Sequence, residues 1–355
     1  MKLGLSLGYS GAELRLPMEL IRHAEELGFD SVWTAEAYGS DAITPLAYIA
    51  AHTSRIRLGT GIMQLAGRTA AMCAMQCQTV DALAGGGRMI AGIGVSGPQI
   101  VEGWYGEPWG KPYWRLRDYV SIMRKVFERE HPVTHEGREI SLPYTGPGSI
   151  GLGKPLMSIL HGNAQLPIWL GSGKEATIRL TAELCDGWLP MHFVPGRMAQ
   201  FKPWVEEGFA RARARGVDKG WHNFEVFGMT SVILTENVKQ AIDNQKPGIA
   251  LYVGGMGHSS MNFHNEHMVQ RGYGDAAARI QELFLAGRKE EAYAAVPDEY
   301  VDEGLLLGTP DRIGKRWPAW AESGLTGLKV ATRQPEALEL VAGLARDVPA
   351  VGVGG

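Results

Sequence analysis

Cysteine is scarce, at three in 355 residues, too few for a disulfide framework in which every thiol is paired. Cys73 and Cys77 fall at helical spacing in an apolar stretch, where cysteine behaves as a small buried hydrophobe, and a reducing cytoplasm is the expected setting. Neither sign of charge dominates: Lys+Arg 35 against Asp+Glu 38 gives a formal net charge of -3, with no global pull toward a phosphate backbone or an anionic membrane. Nucleic acid is therefore not an expected partner. No run approaches the roughly 18 apolar residues that cross a bilayer, so no membrane span is expected. The opening Met1-Lys2-Leu3-Gly4-Leu5-Ser6-Leu7-Gly8 alternates apolar with small or polar positions and reads as a first strand rather than a secretory leader. HExxH and paired CxxC are missing, which removes the plainest signatures of zinc chemistry.

What is present is the balance of a globular protein with a large core: 45% hydrophobic and 21% charged residues. Short β-type runs alternate with helical patterns from the start. Leu3 to Leu7 precedes a helix from Pro17 to Leu27; Ser31 to Thr34 precedes one near Pro45 to Thr53; Ile56 to Ile62 precedes Thr69 to Leu83; and Arg88 to Ile93 makes a fourth strand. The rhythm continues through Tyr113 to Glu128, Ile168 to Leu170, Lys174 to Leu184, Gly187 to Pro190 and Met198 to Arg215, closing with Thr309 to Ser323, Gly327 to Ala331 and Pro335 to Arg346. About eight strand–helix pairs imply an α/β fold, a (β/α)8 TIM barrel in one domain over 1–355. Two stretches break the rhythm and read as insertions. One, at about 132–165, is rich in Gly and Pro with room for a small hairpin; the other, at about 254–304, includes His258, Phe263, His264, Asn265 and His267.

Several segments carry candidate chemistry. Gly92-Ile93-Gly94-Val95-Ser96-Gly97 is a literal GxGxxG after a strand, but Pro98 and Gly103-Trp104-Tyr105-Gly106 follow where a nicotinamide site wants a helix opening directly on the glycines. A strand-end loop that lets a flat or anionic ligand approach the backbone fits better. Gly171-Ser172-Gly173-Lys174 follows a strand and opens a helix, so its amides and the helix dipole would hold a phosphate without a dedicated side chain; an ordinary glycine turn is the alternative. It is not a nucleotide P-loop, because Ile168 and Glu175 occupy the first Gly and the Ser/Thr positions of that motif. His264 and His267 flank Glu266 at i, i+3, a spacing that polar loops also supply by chance, and no metal centre is expected. His192 lies just past a strand end, where barrels place chemistry, with a hydrogen-bonded structural histidine as the alternative. Glu36 ends the second strand, where its carboxylate would point into the barrel mouth unless it serves a surface salt bridge.

Five segments in order resemble the bacterial luciferase-like superfamily, and more closely its branch dependent on the deazaflavin coenzyme F420. They are Gly28-Phe29-Asp30-Ser31-Val32-Trp33-Thr34-Ala35-Glu36, Arg57-Leu58-Gly59-Thr60-Gly61-Ile62, Gly87-Arg88-Met89-Ile90-Ala91-Gly92-Ile93-Gly94, Gly171-Ser172-Gly173 with Cys185-Asp186-Gly187-Trp188, and Leu307-Gly308-Thr309-Pro310-Asp311. The resemblance implies a barrel holding the ring at its C-terminal mouth, with a non-proline cis peptide at Gly61–Ile62 behind it. It implies Gln64 beside the ring, Glu36 near its pyrimidine side or hydroxyl edge, Val95 and Ser96 along the cofactor, and Gly171, Ser172 and Gly173 on the phosphate. Chemistry would then follow from hydride exchange at ring carbon C5, with the protein supplying geometry and dryness.

Sugar-phosphate dehydrogenases of that branch carry a histidine where this chain has Ala37 and a glutamate where it has Gly97. A small hydrophobic alcohol, ketone or unsaturated substrate is the expectation instead, walled by Tyr9, Trp33, Trp104, Tyr105 and Tyr252, with Glu36 and His192 as candidate catalytic groups. An FMN-dependent monooxygenase on the same barrel is the alternative, and a cofactor-binding protein without catalysis a third reading. Family resemblance favours a homodimer.

Overall fold

The computed structural model describes residues 1–256 and 261–347; His258 lies outside them. Eight parallel strands close into a barrel: β1 (Lys2–Gly8), β2 (Ser31–Thr34), β3 (Arg57–Thr60), β4 (Met89–Gly94), β5 (Ile168–Ser172), β6 (Gly187–Pro190), β7 (Glu225–Leu234) and β8 (Gly327–Ala331). Neighbours in sequence are neighbours in the ring. Closure comes from β8 pairing with β1, Lys2 opposite Gly327, and β6 pairing with β7, Glu225 opposite Gly187. Buried strands with helices packed outside are what near-continuous apolar runs such as Met89–Gly94 require, since both faces must leave water.

The barrel interior is plugged rather than hollow. Trp33, Ile90, Trp169, Leu189 and Phe227 form a separate apolar cluster inside the ring, with Trp33 and Trp169 centroids 5.2 Å apart and Trp169 edge-on to Phe227 at 5.0 Å. Glycines on adjacent strands make room for these rings: a Cβ on Gly59 would stand 2.4 Å from Trp33, and one on Gly187 2.4 Å from Trp169. The main core lies between the strands and the outer helices. Helix ends follow local chemistry: Thr69 and Thr309, each one residue before a helix, accept from Met72 N at 3.2 Å and Arg312 N at 3.3 Å.

Two boundaries differ from the sequence pattern. The helix expected near Pro45 to Thr53 runs Ile43–Ala50, with Pro45 in its first turn, where a missing N–H costs nothing. The third strand stops at Thr60; the Gly61–Ile62 peptide is cis, and Met63–Gln64 then pairs separately with β4.

The first insertion contains the hairpin His135–Glu136 and Ser141–Leu142. Asp118, on the preceding helix, fastens it by accepting from Glu139 N at 2.7 Å and Ile140 N at 3.0 Å. The second follows helix Val238–Ala250 and holds helices Phe263–Gln270, Gly274–Leu285, Lys289–Ala294 and Asp298–Glu303 over a small core of their own that includes Met268, Ile280 and Val301. Asn262 anchors it: its amide donates to Tyr252 O at 3.0 Å and Val253 O at 2.9 Å while its oxygen caps the next helix through His264 N and Asn265 N.

Candidate active site

Strand directions put every candidate residue but one at the C-terminal mouth of the barrel. Glu36, two residues beyond β2, is 7% exposed, and four donors occupy its oxygens: Arg68 Nη1 at 2.7 Å, Arg68 Nη2 at 2.8 Å, Gln64 N at 2.5 Å and Ala42 N at 3.1 Å. This corrects the reading of Glu36 as a catalytic carboxylate open to a ligand, and equally the surface salt bridge, because its acceptor directions are spent inside the protein. The carboxylate instead fixes the backbone of Gln64 and the Arg68 fork. Burial works against the Arg68 charge, yet the paired bonds to Glu36 outweigh it and hold the guanidinium above its ordinary value.

Gln64 is 4% exposed and its Oε1 is buried without a hydrogen-bond partner. A native protein seldom leaves such an atom unpaired unless a ligand or water completes it. Val95 and Ser96 are half-buried just past β4. Ser96 takes φ 61° and His192 φ 48°, left-handed backbone that non-glycine residues adopt at a cost and that clusters at ligand sites.

The Gly171–Gly173 turn ends β5 and leads into helix Glu175–Leu184, whose N-terminus has no side-chain cap. The Ser172 hydroxyl turns away, 3.0 Å from Thr181 Oγ1, so the turn offers backbone amides rather than hydroxyls. Its two glycines are close-approach points. A Cβ on Gly171 would lie 2.9 Å from Ile62 Cγ2, and one on Gly173 2.3 Å from His267 Nε2. Ile62 and His267 thus pack directly against the turn, and the Gly61–Ile62 segment and the amide cradle share one rim.

His192 meets the second insertion. Its Nε2 and His264 Nδ1 are 2.6 Å apart, and its ring centroid is 5.5 Å from that of His267. Burial first, then His264, His267 and Arg271, push the His192 imidazole well below its ordinary pKa. Burial and neighbouring cationic or imidazole groups bring His264 and His267 to about 4. All three are neutral near pH 7, which disfavours binding an anion there. Among the described residues no group of three His, Cys, Asp or Glu side chains is arranged to hold a metal ion.

Tyr9, Trp104 and Tyr252 stand at the rim. Tyr9 and Tyr252 hydroxyls join at 2.7 Å, tying β1 to the second insertion, and Trp104 is 62% exposed. Tyr105 packs on Gly67, and burial together with Glu36 raises its hydroxyl pKa. Trp33 is the exception: at 1% exposed, with Nε1 donating to Ser31 Oγ at 2.8 Å, it belongs to the interior plug and not to a substrate wall. Alternation along β2 aims it inward one layer too deep.

Two residues were not singled out from the sequence. Arg68 carries no motif. Lys329 on β8 is 6% exposed, and its Nζ would lie 3.2 Å from a Cβ on Gly61; the available signal was a lone charge inside the apolar strand Gly-Leu-Lys-Val-Ala.

The family model described as luciferase-like monooxygenase matches residues 2–327. The Mycobacterium tuberculosis protein named "Putative coenzyme F420-dependent oxidoreductase Rv3520c" is 44% identical over 346 residues, covering 97% of this chain and 99% of that one. Among solved structures, the coenzyme F420 dependent tetrahydromethanopterin reductase from Methanopyrus kandleri superposes with a TM-score of 0.76 at 21% identity, covering 98% of each chain. An F420-dependent secondary alcohol dehydrogenase in complex with an F420-acetone adduct gives 0.71 at 16% identity, covering 99% of this chain and 98% of that one.

Proposed function

The chain belongs to the luciferase-like monooxygenase family, and on that premise we propose that it is a coenzyme F420-dependent oxidoreductase moving a hydride between deazaflavin C5 and a small, largely apolar organic substrate. The observation that carries this reading is the meeting of the Gly61–Ile62 segment with the Gly171–Gly173 amide turn at one rim, beside the unpaired Gln64 Oε1. A flat ring needs bare backbone to lie against, and a phosphate needs unpaired N–H groups at a helix start. The residues present fit both demands. When bound, a deazaflavin supplies a carbon hydride acceptor where a flavin has nitrogen, so it works in two-electron steps and reacts poorly with oxygen.

The chain's own residues then have separable tasks. Gly61, Ile62 and Gln64 would seat the ring, with Gln64 held in place through its backbone bond to Glu36. Val95 and Ser96 would lie along it, and Gly171, Ser172 and Gly173 would take the phosphate through their amides. Glu36 would act as a positioning group, its oxygens held by Arg68 and the amides of Gln64 and Ala42. His192, neutral near pH 7 and just past the end of β6, is the group assigned to carry the substrate proton, with His264 as its hydrogen-bond partner. Tyr9, Trp104 and Tyr252 would exclude water and contact an apolar substrate.

The same reading includes a homodimer in the cytoplasm. Tyr48, Met72, Met75 and Leu83, exposed on helices Ile43–Ala50 and Ala70–Leu83, give a second copy an apolar strip to cover. No helix among the described residues is long and apolar enough to cross a membrane.

Titration of the purified protein with deazaflavin and with FMN, followed by a screen of apolar alcohols, ketones and activated alkenes monitored by deazaflavin absorbance, tests the assignment. Tight deazaflavin binding with turnover is the expected result. Tight FMN binding without deazaflavin binding would overturn it in favour of the monooxygenase.

A further inference from the structure

Lys329 is the one charged side chain on β8, and its place in the ring is unusual. On one side its register partner is Gly4, which has no side chain; on the other it is Met229, which is 46% exposed. Its Nζ rises beside Gly61, close enough that a Cβ there would lie 3.2 Å away, and stands 5.2 Å from the centroid of the Trp33 ring. The residue is only 6% exposed. Among the described residues its ammonium makes no hydrogen bond and no ion pair, leaving the Trp33 face as its electrostatic partner. Other buried cations among the described residues have polar partners: Arg68 pairs with Glu36, Lys246 with Asp298, and Arg88 donates to the Ile56 and Thr53 carbonyls.

A π-face only partly replaces the hydration that an ammonium loses on burial. Burial alone brings the Lys329 pKa to about 8, so the group is still mainly charged near neutral pH. A mostly charged, unpaired cation directly beneath the floor of the mouth is costly to keep unless a ligand completes it. Gly61, the residue it abuts, belongs to the segment assigned above to the ring.

We propose that Lys329 is the counter-cation for the reduced, anionic form of the deazaflavin ring. The inference rests on the deazaflavin reading of the mouth. Hydride uptake places two electrons and one proton on the ring, leaving it one unit more negative than before. A fixed positive charge near the ring therefore stabilises the reduced form more than the oxidised form. The role is charge pairing; no bond to Lys329 is made or broken. The same interaction makes the bound cofactor easier to reduce.

Equilibrium binding of the oxidised and the reduced cofactor to wild type, Lys329→Met and Lys329→Gln tests this without a substrate. Both variants are expected to hold oxidised cofactor within about threefold of wild type, which also shows that the mouth is folded. Each is expected to bind the reduced form at least tenfold more weakly, and every tenfold change in that ratio makes the bound two-electron potential about 30 mV more negative. Equal weakening of both forms, or no change in either, would overturn the role of Lys329. Wild-type protein that takes up no deazaflavin in either form would instead overturn the cofactor reading.

Discussion

Glu36→Gln is the sharpest test of how the mouth is held together. The substitution keeps the shape of the side chain and removes its charge, leaving the Arg68 guanidinium, with a side chain 10% exposed, facing an amide. One of the two parallel bonds at 2.7 and 2.8 Å then places donor against donor. Removing one partner of a buried ion pair typically costs about 3–5 kcal/mol, because the remaining charge stays desolvated. Arg68→Met should cost a similar amount, since the carboxylate keeps only the Gln64 and Ala42 amides. The double variant should lose far less than the sum, giving an interaction energy of at least about 2 kcal/mol. Urea unfolding followed by tryptophan fluorescence measures all three, and deazaflavin affinity should fall with Glu36→Gln as the backbone of Gln64 loosens. Two single variants each costing under about 1 kcal/mol, and adding without interaction, would refute the account of Glu36 as the positioning carboxylate.

The remaining predictions test other parts of the same arrangement. A Cβ at Gly92 would lie 1.7 Å from the Thr60 carbonyl oxygen, which is backbone and cannot move aside, so Gly92→Ala should cost more than about 3 kcal/mol or prevent soluble expression; a stable, active variant would contradict the packing of β3 on β4. Unfolded His264 and His267 protonate near 6.5, but folded they wait until about 4. The unfolded chain thus binds more protons across that window, and stability should fall as pH drops from 6.5 toward 4. Replacing both residues with Gln should flatten that loss in urea midpoints, and an unchanged slope would show that the imidazoles do not differ between states. Asn262→Ala removes a helix cap and two amide bonds, one of them buried, and should cost about 2–3 kcal/mol; limited proteolysis should then cut the second insertion before the barrel, and cleavage elsewhere first would count against its anchoring role. His192→Ala should lower turnover while leaving deazaflavin affinity nearly intact, and unchanged turnover would remove it from proton transfer.

Strand–helix alternation made the barrel legible, because parallel strands buried on both faces carry apolar runs and most of the helices between them carry amphipathic spacing. The glycine segments were legible for a related reason: bare backbone is demanded locally, by one turn or one close approach, and so leaves a local mark. The depth of a side chain within the barrel leaves no such mark. Trp33 and Glu36 are three residues apart, yet the first fills the plug and the second lies at the mouth, because β2 ends between them. Nor does the sequence reveal partnership across the ring: Glu36 and Arg68 are joined by the convergence of two strand ends, not by spacing along one element. Lys329 is the intermediate case. Its charge interrupts an otherwise apolar strand, which marks it as exceptional, but only closure of β8 onto β1 and the bare Cα of Gly61 show that the charge has been carried inward. A residue that breaks the pattern of its own strand identifies a cost that the fold bears; the three-dimensional neighbours then determine what offsets it. For Glu36 that neighbour is another side chain of the protein. For Lys329 and Gln64 Oε1 no such partner is present among the described residues, and on the proposed reading a bound cofactor would supply it.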